Sequence, residues 1–210
     1  MVRGIYPMIN RKFFFDFLRG LYLFQYRLSK RQVSGITDLL DCWERGYSGC
    51  DDRWLAYILA SVYHETGGFM TPVREGFAST DAGARAHVWR LYRRGRISRN
   101  YAAPAKNGLS YYGRGRVQNT WEENYIKLER RFGRPFHSNP DLLLDSKIDA
   151  EVSIVGHIEG IWRSGHALSR YFNQRADNWI GARLIVNPDS NGRVIAGYAK
   201  LFYAAISYTV

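Results

Sequence analysis

Along most of the chain apolar residues recur at intervals of three and four, the spacing that lines one face of an α-helix, and strict alternation of apolar and polar residues is scarce. The spacing predicts a first helix capped by Asn10 and running to about Tyr26, and a second opened by Ser29 or Ser34 and ending near Gly46. From Asp52, an N-cap candidate, Trp54, Leu55, Ile58, Leu59, Val62 and Tyr63 keep the period until Gly67 and Gly68 stop it. This third helix is apolar almost all round, which predicts a central, buried position. Further helices are predicted from about Asp81 to Tyr92, Asn119 to Phe132, Ser146 to Trp162, Arg175 to Val186 and Arg193 to Ser207, the last packing Val194, Tyr198, Leu201 and Ala205 inward. The stretch from Thr66 to Gly115 is rich in Gly, Arg and Tyr, and loops of that length inside a compact domain are usually functional. No repeat, low-complexity tract or linker interrupts the pattern, so a single, mainly α domain over residues 1–210 is expected.

Composition narrows the class. A chain of 210 residues buries roughly 70% of its unfolded surface, and 46% hydrophobic residues with 15 Tyr, 11 Phe and 6 Trp argue against disorder. The most apolar early stretch, Phe13 to Tyr26, is broken by Asp16 and Arg19 and falls short of the roughly 20 apolar residues of a membrane span. No export signal is assembled, so the chain is expected to accumulate in the cytoplasm. Cys42 and Cys50 read as buried or partly buried thiols rather than a disulfide framework, and the five histidines lack zinc-site spacing; neither metal nor cofactor is expected.

Charge adds a partner class. Thirty Lys and Arg against 19 Asp and Glu give a formal net charge of +11. Nine basic residues and no acidic one lie between Arg85 and Arg116. Such a run is either a solvated face or a surface for a polyanion: nucleic acid, acidic wall polymer or anionic membrane.

Candidate chemistry centres on Glu65, which falls in the last turn of the buried third helix, on the apolar face of Ile58 and Val62. A carboxylate there is either paired with an arginine or desolvated, and desolvation makes a glutamate a general acid near neutral pH. His64 precedes it, but Gly68 stands where a zinc peptidase motif needs its second histidine. Glu75, in the loop Pro72-Val73-Arg74-Glu75-Gly76, is either an exposed ion pair or the second carboxylate of an inverting glycosidase, in which one group protonates the leaving oxygen and the other activates water. The segment Tyr111 to Tyr125 offers glycines for close backbone approach and the neutral hydrogen-bonding groups Gln118, Thr120 and Asn124; it also reads as a turn and a capped helix start.

These residues resemble a known family. His64-Glu65-Thr66-Gly67-Gly68, followed by Tyr111-Tyr112-Gly113-Arg114-Gly115-Arg116-Val117-Gln118-Asn119-Thr120-Trp121 and Asn124-Tyr125, is similar to glycoside hydrolase family nineteen, which holds chitinases and the lysozyme-type endolysins of phages. The resemblance extends from Ile9-Asn10-Arg11-Lys12-Phe13-Phe14-Phe15 through Asn139-Pro140-Asp141-Leu142 to Ile195-Ala196-Gly197-Tyr198-Ala199-Lys200, and its two ends are similar to the short phage and bacterial branch. It implies a lysozyme-like helical domain with a two-lobed substrate cleft. Carried over residue by residue, it implies Glu65 as general acid, Thr120 as holder of the nucleophilic water, and His64, Tyr111, Tyr112, Arg114, Gln118, Asn124 and Asn187 as substrate contacts. In plant chitinases the base lies 22 residues beyond the acid, which here lands on His87; the short branch places it nearer, which points to Glu75. A late arginine of the plant enzymes finds no match between Ile195 and Lys200.

With the basic stretch set between the two halves of this site, the expected substrate is bacterial peptidoglycan, an acidic polymer, rather than neutral chitin. The resemblance then implies a monomeric endolysin that cuts the β-1,4 bond between N-acetylmuramic acid and N-acetylglucosamine with inversion. It would wait in the host cytoplasm until a holin-like protein opens the way to the periplasm and wall, with neither nucleic acid nor stable membrane insertion involved. The alternatives are a chitinase and a non-catalytic wall- or nucleic-acid-binding module.

Overall fold

The structure, a computed structural model, describes residues 8–207. Helix α1 (Arg11–Arg19) is opened by Asn10, whose side chain accepts the Phe13 amide. It stops at Gly20 rather than near Tyr26, because the chain turns through a 3-10 segment at Tyr22–Phe24 and then through left-handed conformations at Gln25 and Tyr26 (φ 53° and 57°). Of the two candidate openings for α2 (Lys30–Gly46), Ser29 is the one used: it and Gln32 form a reciprocal capping box. Helix α3 (Asp52–Glu65) is capped by Asp51, one residue earlier than expected.

Every residue of α3 from Leu55 to Val62 is buried, as its pattern requires, and the helix packs chiefly on α8 (Gly192–Ile206). The face α8 turns inward is Ile195, Ala199, Phe202 and Ile206 with Ala196 and Ala205; Val194 and Leu201, expected inside, are exposed. The alanines let the two helices approach, while Ile195, Phe202 and Ile206 fill the core beside them. Helix α4 (Asp81–Arg93), α5 (Glu122–Phe132) and α6 (Ser146–Glu159) follow the predicted periodicity, with α5 starting later and α6 ending earlier. The predicted helix over 175–186 is absent. A short α7 (Leu168–Tyr171) leads into a hairpin, and the 3-10 segment Gly181–Ile185 follows. Asn173 and Asn178 cap the amides of Arg175 and Gly181, local bonds that compete with a helix.

Two-residue strands carry the site. Strand β1 (Val73–Arg74) pairs antiparallel with β2 (Arg114–Gly115), Val73 opposite Gly115; the 172–177 hairpin supplies β3 (Phe172–Asn173) and β4 (Ala176–Asp177). Besides the main core around α3, Tyr111, Tyr125, Leu128 and Phe136 form one smaller cluster, and Ala84, Val88, Ala102 and Tyr112 form another that holds α4 against the chain before β2. Cys42 and Cys50 are free thiols, both half-buried. Among the described residues no helix is long and apolar enough to cross a membrane.

The β1–β2 ribbon is fixed to the core by Arg116, which is fully buried. Its guanidinium donates to the carbonyls of Met70 (2.9 Å), Ser146 (2.7 Å) and Gly35 (3.2 Å) and pairs with Asp149 at 3.0 Å. Burial raises the Asp149 carboxyl to about 6 despite that cation. Removing one partner strands the other without solvent, so Arg116→Ala is expected to lose about 3–5 kcal/mol of stability. Denaturant midpoints read this; a loss equal to that of an exposed arginine would contradict it.

Candidate active site

Glu65 closes α3, where the Thr66 hydroxyl donates to the Val62 carbonyl and accepts the Met70 amide, fixing the turn that carries the carboxylate. Its side chain is largely buried and pairs with Nη1 of Arg183 at 2.5 Å. Of the two readings open from sequence, a paired and an unpaired carboxylate, the pair is found. Arg183 belongs to the 3-10 segment before α8 and is itself held by both oxygens of Asp189, at 2.8 Å (Nε) and 2.5 Å (Nη2). A single guanidinium therefore bridges two carboxylates. Asn187 is exposed beside this bridge, its amide bonded to the Arg183 carbonyl at 3.0 Å. Sequence reasoning missed Arg183 and Asp189: they belong to no recognisable motif and meet Glu65 only through the fold.

The second carboxylate is positioned by β1 and β2. Their register sets Glu75 beside Gly113, the Glu75 amide donating to the Gly113 carbonyl at 2.8 Å and the Gly113 amide to Glu75 Oε2 at 3.3 Å. Gly113 marks the point of convergence. A Cβ there would lie 2.7 Å from Glu75 Oε2, 2.8 Å from Gln118 Oε1 and 3.3 Å from Thr120 Oγ1. Gln118, at a left-handed φ of 51°, is locked by donation from Nε2 to the Val73 and Gly115 carbonyls, both 3.1 Å. The Thr120 hydroxyl donates to the Gln118 carbonyl at 2.9 Å, and Asn124 at the start of α5 donates to the Thr120 carbonyl at 2.7 Å. The fold thus gathers Glu75, Gln118 and Thr120, with Asn124 one bond behind them.

Burial raises the pKa of Glu75, opposed by the Gly113 amide, the neighbouring His87 and the Tyr101 hydroxyl. Tyr101, not singled out from sequence, comes from the loop after α4, and its ring packs on Trp121 at 5.3 Å. His87, where the plant spacing would put the base, lies on α4 with its ring so close to Gly76 that a Cβ there would stand 2.5 Å away. A carboxyl whose folded pKa is raised adds stability that is complete below its ordinary value of 4.5 and lost as pH climbs through the folded value. Glu75→Gln is therefore expected to melt above wild type near neutral pH, by about 2–4 °C per kcal/mol relieved. The gap should close toward about pH 4. Melting curves across that range check this, and a variant that melts lower at neutral pH would contradict it.

Three expected substrate contacts lie in the core. Tyr111, Tyr112 and Arg114 are 3%, 0% and 3% exposed, so none presents a surface to a sugar. The Tyr111 hydroxyl donates to the His137 carbonyl (2.7 Å) and its ring stacks on the His137 ring. The Arg114 guanidinium lies 3.7 Å over the Tyr112 ring and bonds Asp141 at 2.7 Å. These three support the ribbon rather than line it. His64 is half-buried beside Glu65. The basic stretch is corrected too: Arg114 and Arg116 are internal, and the exposed arginines sit on α4 and the loop that follows.

A helical fold carrying two carboxylates on separate supports, one backed by an amide–hydroxyl cluster, has the architecture of a lysozyme-like glycoside hydrolase. The sequence profile of glycoside hydrolase family 19, chitinase class I, matches residues 44–168, and the chain belongs to this family. That span holds Glu65, Glu75, Gln118, Thr120 and Asn124 and ends before Arg183. The chain is 30% identical over 101 residues to endochitinase CH25 of Brassica napus, covering 46% of this chain and 29% of that protein. It is 32% identical over 111 residues to an endochitinase of Carica papaya, covering 49% and 43%. The chain thus spans less than half the length of these curated relatives. In fold it is similar to a bacterial family 19 chitinase (TM-score 0.51, 22% identity, 92% of this chain and 95% of that one) and to chitinase C from Streptomyces griseus (TM-score 0.53, 19% identity, 94% and 78%).

Proposed function

We propose that this protein hydrolyses β-1,4 bonds in a polymer containing N-acetylglucosamine, with inversion. The observation that carries this reading is the meeting of Glu75, Gln118 and Thr120 at Gly113, in a chain whose Glu65 is held at the end of a buried helix. Glu65 acts as general acid. The guanidinium of Arg183 that holds Glu65 in place is itself anchored by Asp189. Glu75 acts as general base, and its raised pKa brings its proton affinity closer to neutral pH, where a base works best. Thr120 and Gln118 hold the water from which Glu75 takes a proton, and the water attacks the sugar face opposite the leaving oxygen.

Peptidoglycan is the polymer this reading favours, in the role of an endolysin cutting between N-acetylmuramic acid and N-acetylglucosamine. The net charge of +11 supports it, since a basic protein gathers a carboxylate-bearing polymer. A second reading, chitin hydrolysis, is favoured by the endochitinases among the relatives. Digestion of purified sacculi and of chitin oligomers, with mass spectrometry of the new reducing ends, separates the two. Release of N-acetylmuramic acid ends supports the first; cleavage of chitin oligomers alone moves the function to the second. Added salt is expected to slow sacculus digestion more than oligomer digestion, because screening weakens the attraction of exposed charges to an acidic polymer; equal slowing would contradict that account.

A further inference from the structure

The outward side of α4 carries a cation-rich aromatic strip that the glycan site does not use. His87 is the α4 side chain that packs next to Glu75, and at about 100° per residue Trp89 lies on the other side of the helix. Trp89 and Tyr92 are 48% and 42% exposed, with ring centroids 5.8 Å apart. Arg90, Arg93, Arg94 and Arg96 surround them, all exposed, and among the described residues none has an acidic partner within 4 Å. The sequence carries no acidic residue from 82 to 121. Beside Trp89, between α4 and the 100–104 turn, runs a groove of about 420 Å³ floored by alanines and Pro104, with Arg85 and Asn100 as its polar groups.

We propose that this strip docks the protein on an anionic phospholipid surface. Exposed tryptophan and tyrosine rings suit the depth of a headgroup layer, apolar on one side and wet on the other, and arginines around them meet lipid phosphates. The groove gives a glycan little to bond: alanine methyls and Pro104 with only two polar side chains leave most of the hydroxyl and amide groups around a sugar's edge unpaired. It suits the glycerol and first methylenes of a lipid. Ala84 and Val88 pack the inner side of α4 on Tyr112, so the helix keeps its place while its outer side docks. Docking is peripheral, needs no insertion of the helix, and is independent of which glycan is cut.

The test is co-sedimentation of the whole protein with vesicles of phosphatidylcholine alone and with about 30% phosphatidylglycerol. Wild type is expected to pellet with the anionic vesicles only. The triple variant Arg90→Glu, Arg93→Glu, Arg94→Glu is expected to bind about ten-fold more weakly or worse. A control with the same charge change elsewhere, Arg130→Glu, Arg175→Glu, Lys200→Glu, should retain most of the binding. Trp89→Ala, at unchanged charge, is expected to bind several-fold more weakly, and circular dichroism confirms that each variant folds. Equal binding to both vesicle types, absence of binding, an equal loss in the control triple, or wild-type binding by Trp89→Ala each overturns the proposal. So does capture of single-stranded RNA with anionic vesicles ignored, which would make the strip a nucleic-acid face.

Discussion

Gly113→Ala is expected to lower turnover by about a hundred-fold or more while leaving the fold in place, since misplacing reacting groups by about 1 Å is enough for such a loss. The added methyl would stand 2.7 to 3.3 Å from the side-chain oxygens of Glu75, Gln118 and Thr120, so at least two must move. The Gly113 backbone is outside the left-handed region, so alanine meets no conformational penalty there. Gly115→Ala makes the contrast. That glycine has φ +89°, and its Cβ would fall 2.2 Å from the buried carboxylate of Asp149, so the substitution should destabilise the whole ribbon. Turnover of a soluble oligosaccharide with melting temperature for both variants reads the difference; near-normal turnover by Gly113→Ala would mean that this cluster does not hold the attacking water.

Glu65→Gln is expected to lose about 10²–10⁴-fold in turnover, the range of a missing general acid, with little change in stability. Glutamine keeps an oxygen to accept the Arg183 hydrogen bond, and Asp189 still balances the guanidinium. Arg183→Ala has a different signature. It removes the cation from between the largely buried Glu65 carboxylate and the more exposed Asp189, and should cost about 1–3 kcal/mol of stability as well as activity. Kinetics at fixed substrate together with denaturant midpoints distinguish the pair. If both variants lost stability equally and Glu65→Gln kept its turnover, Glu65 would be a structural ion-pair partner only.

Much of this was legible where the physics is local. Asn10 and Ser29 cap helices because their side chains reach amides three residues away, and α3 is buried because its own pattern leaves no polar face. The antiparallel pairing that sets Glu75 against Gly113 was not legible, since two-residue strands carry no alternation to read. Nor was the Arg183 bridge, formed between residues 118 positions apart. Tyr111, Tyr112 and Arg114 look like ligand-binding residues by type, yet all three are buried, with the Tyr111 hydroxyl on the His137 carbonyl and the Arg114 guanidinium on the Ser110 carbonyl and Asp141. The inward side of α8 is not legible because two faces share a helical period, and the pattern cannot say which of them packs on α3.

Under the proposed function Glu65 and Glu75 work as an inverting acid and base on a β-1,4-linked N-acetylhexosamine polymer. Proton NMR of the reducing ends formed in the first minutes of a digestion tests it most directly, run in parallel with wild type, Glu65→Gln and Glu75→Gln. Wild type is expected to form the α-anomer first, relaxing later to the equilibrium mixture, and neither variant is expected to form new ends. A β-anomer appearing first, or undiminished product from Glu75→Gln, would contradict it.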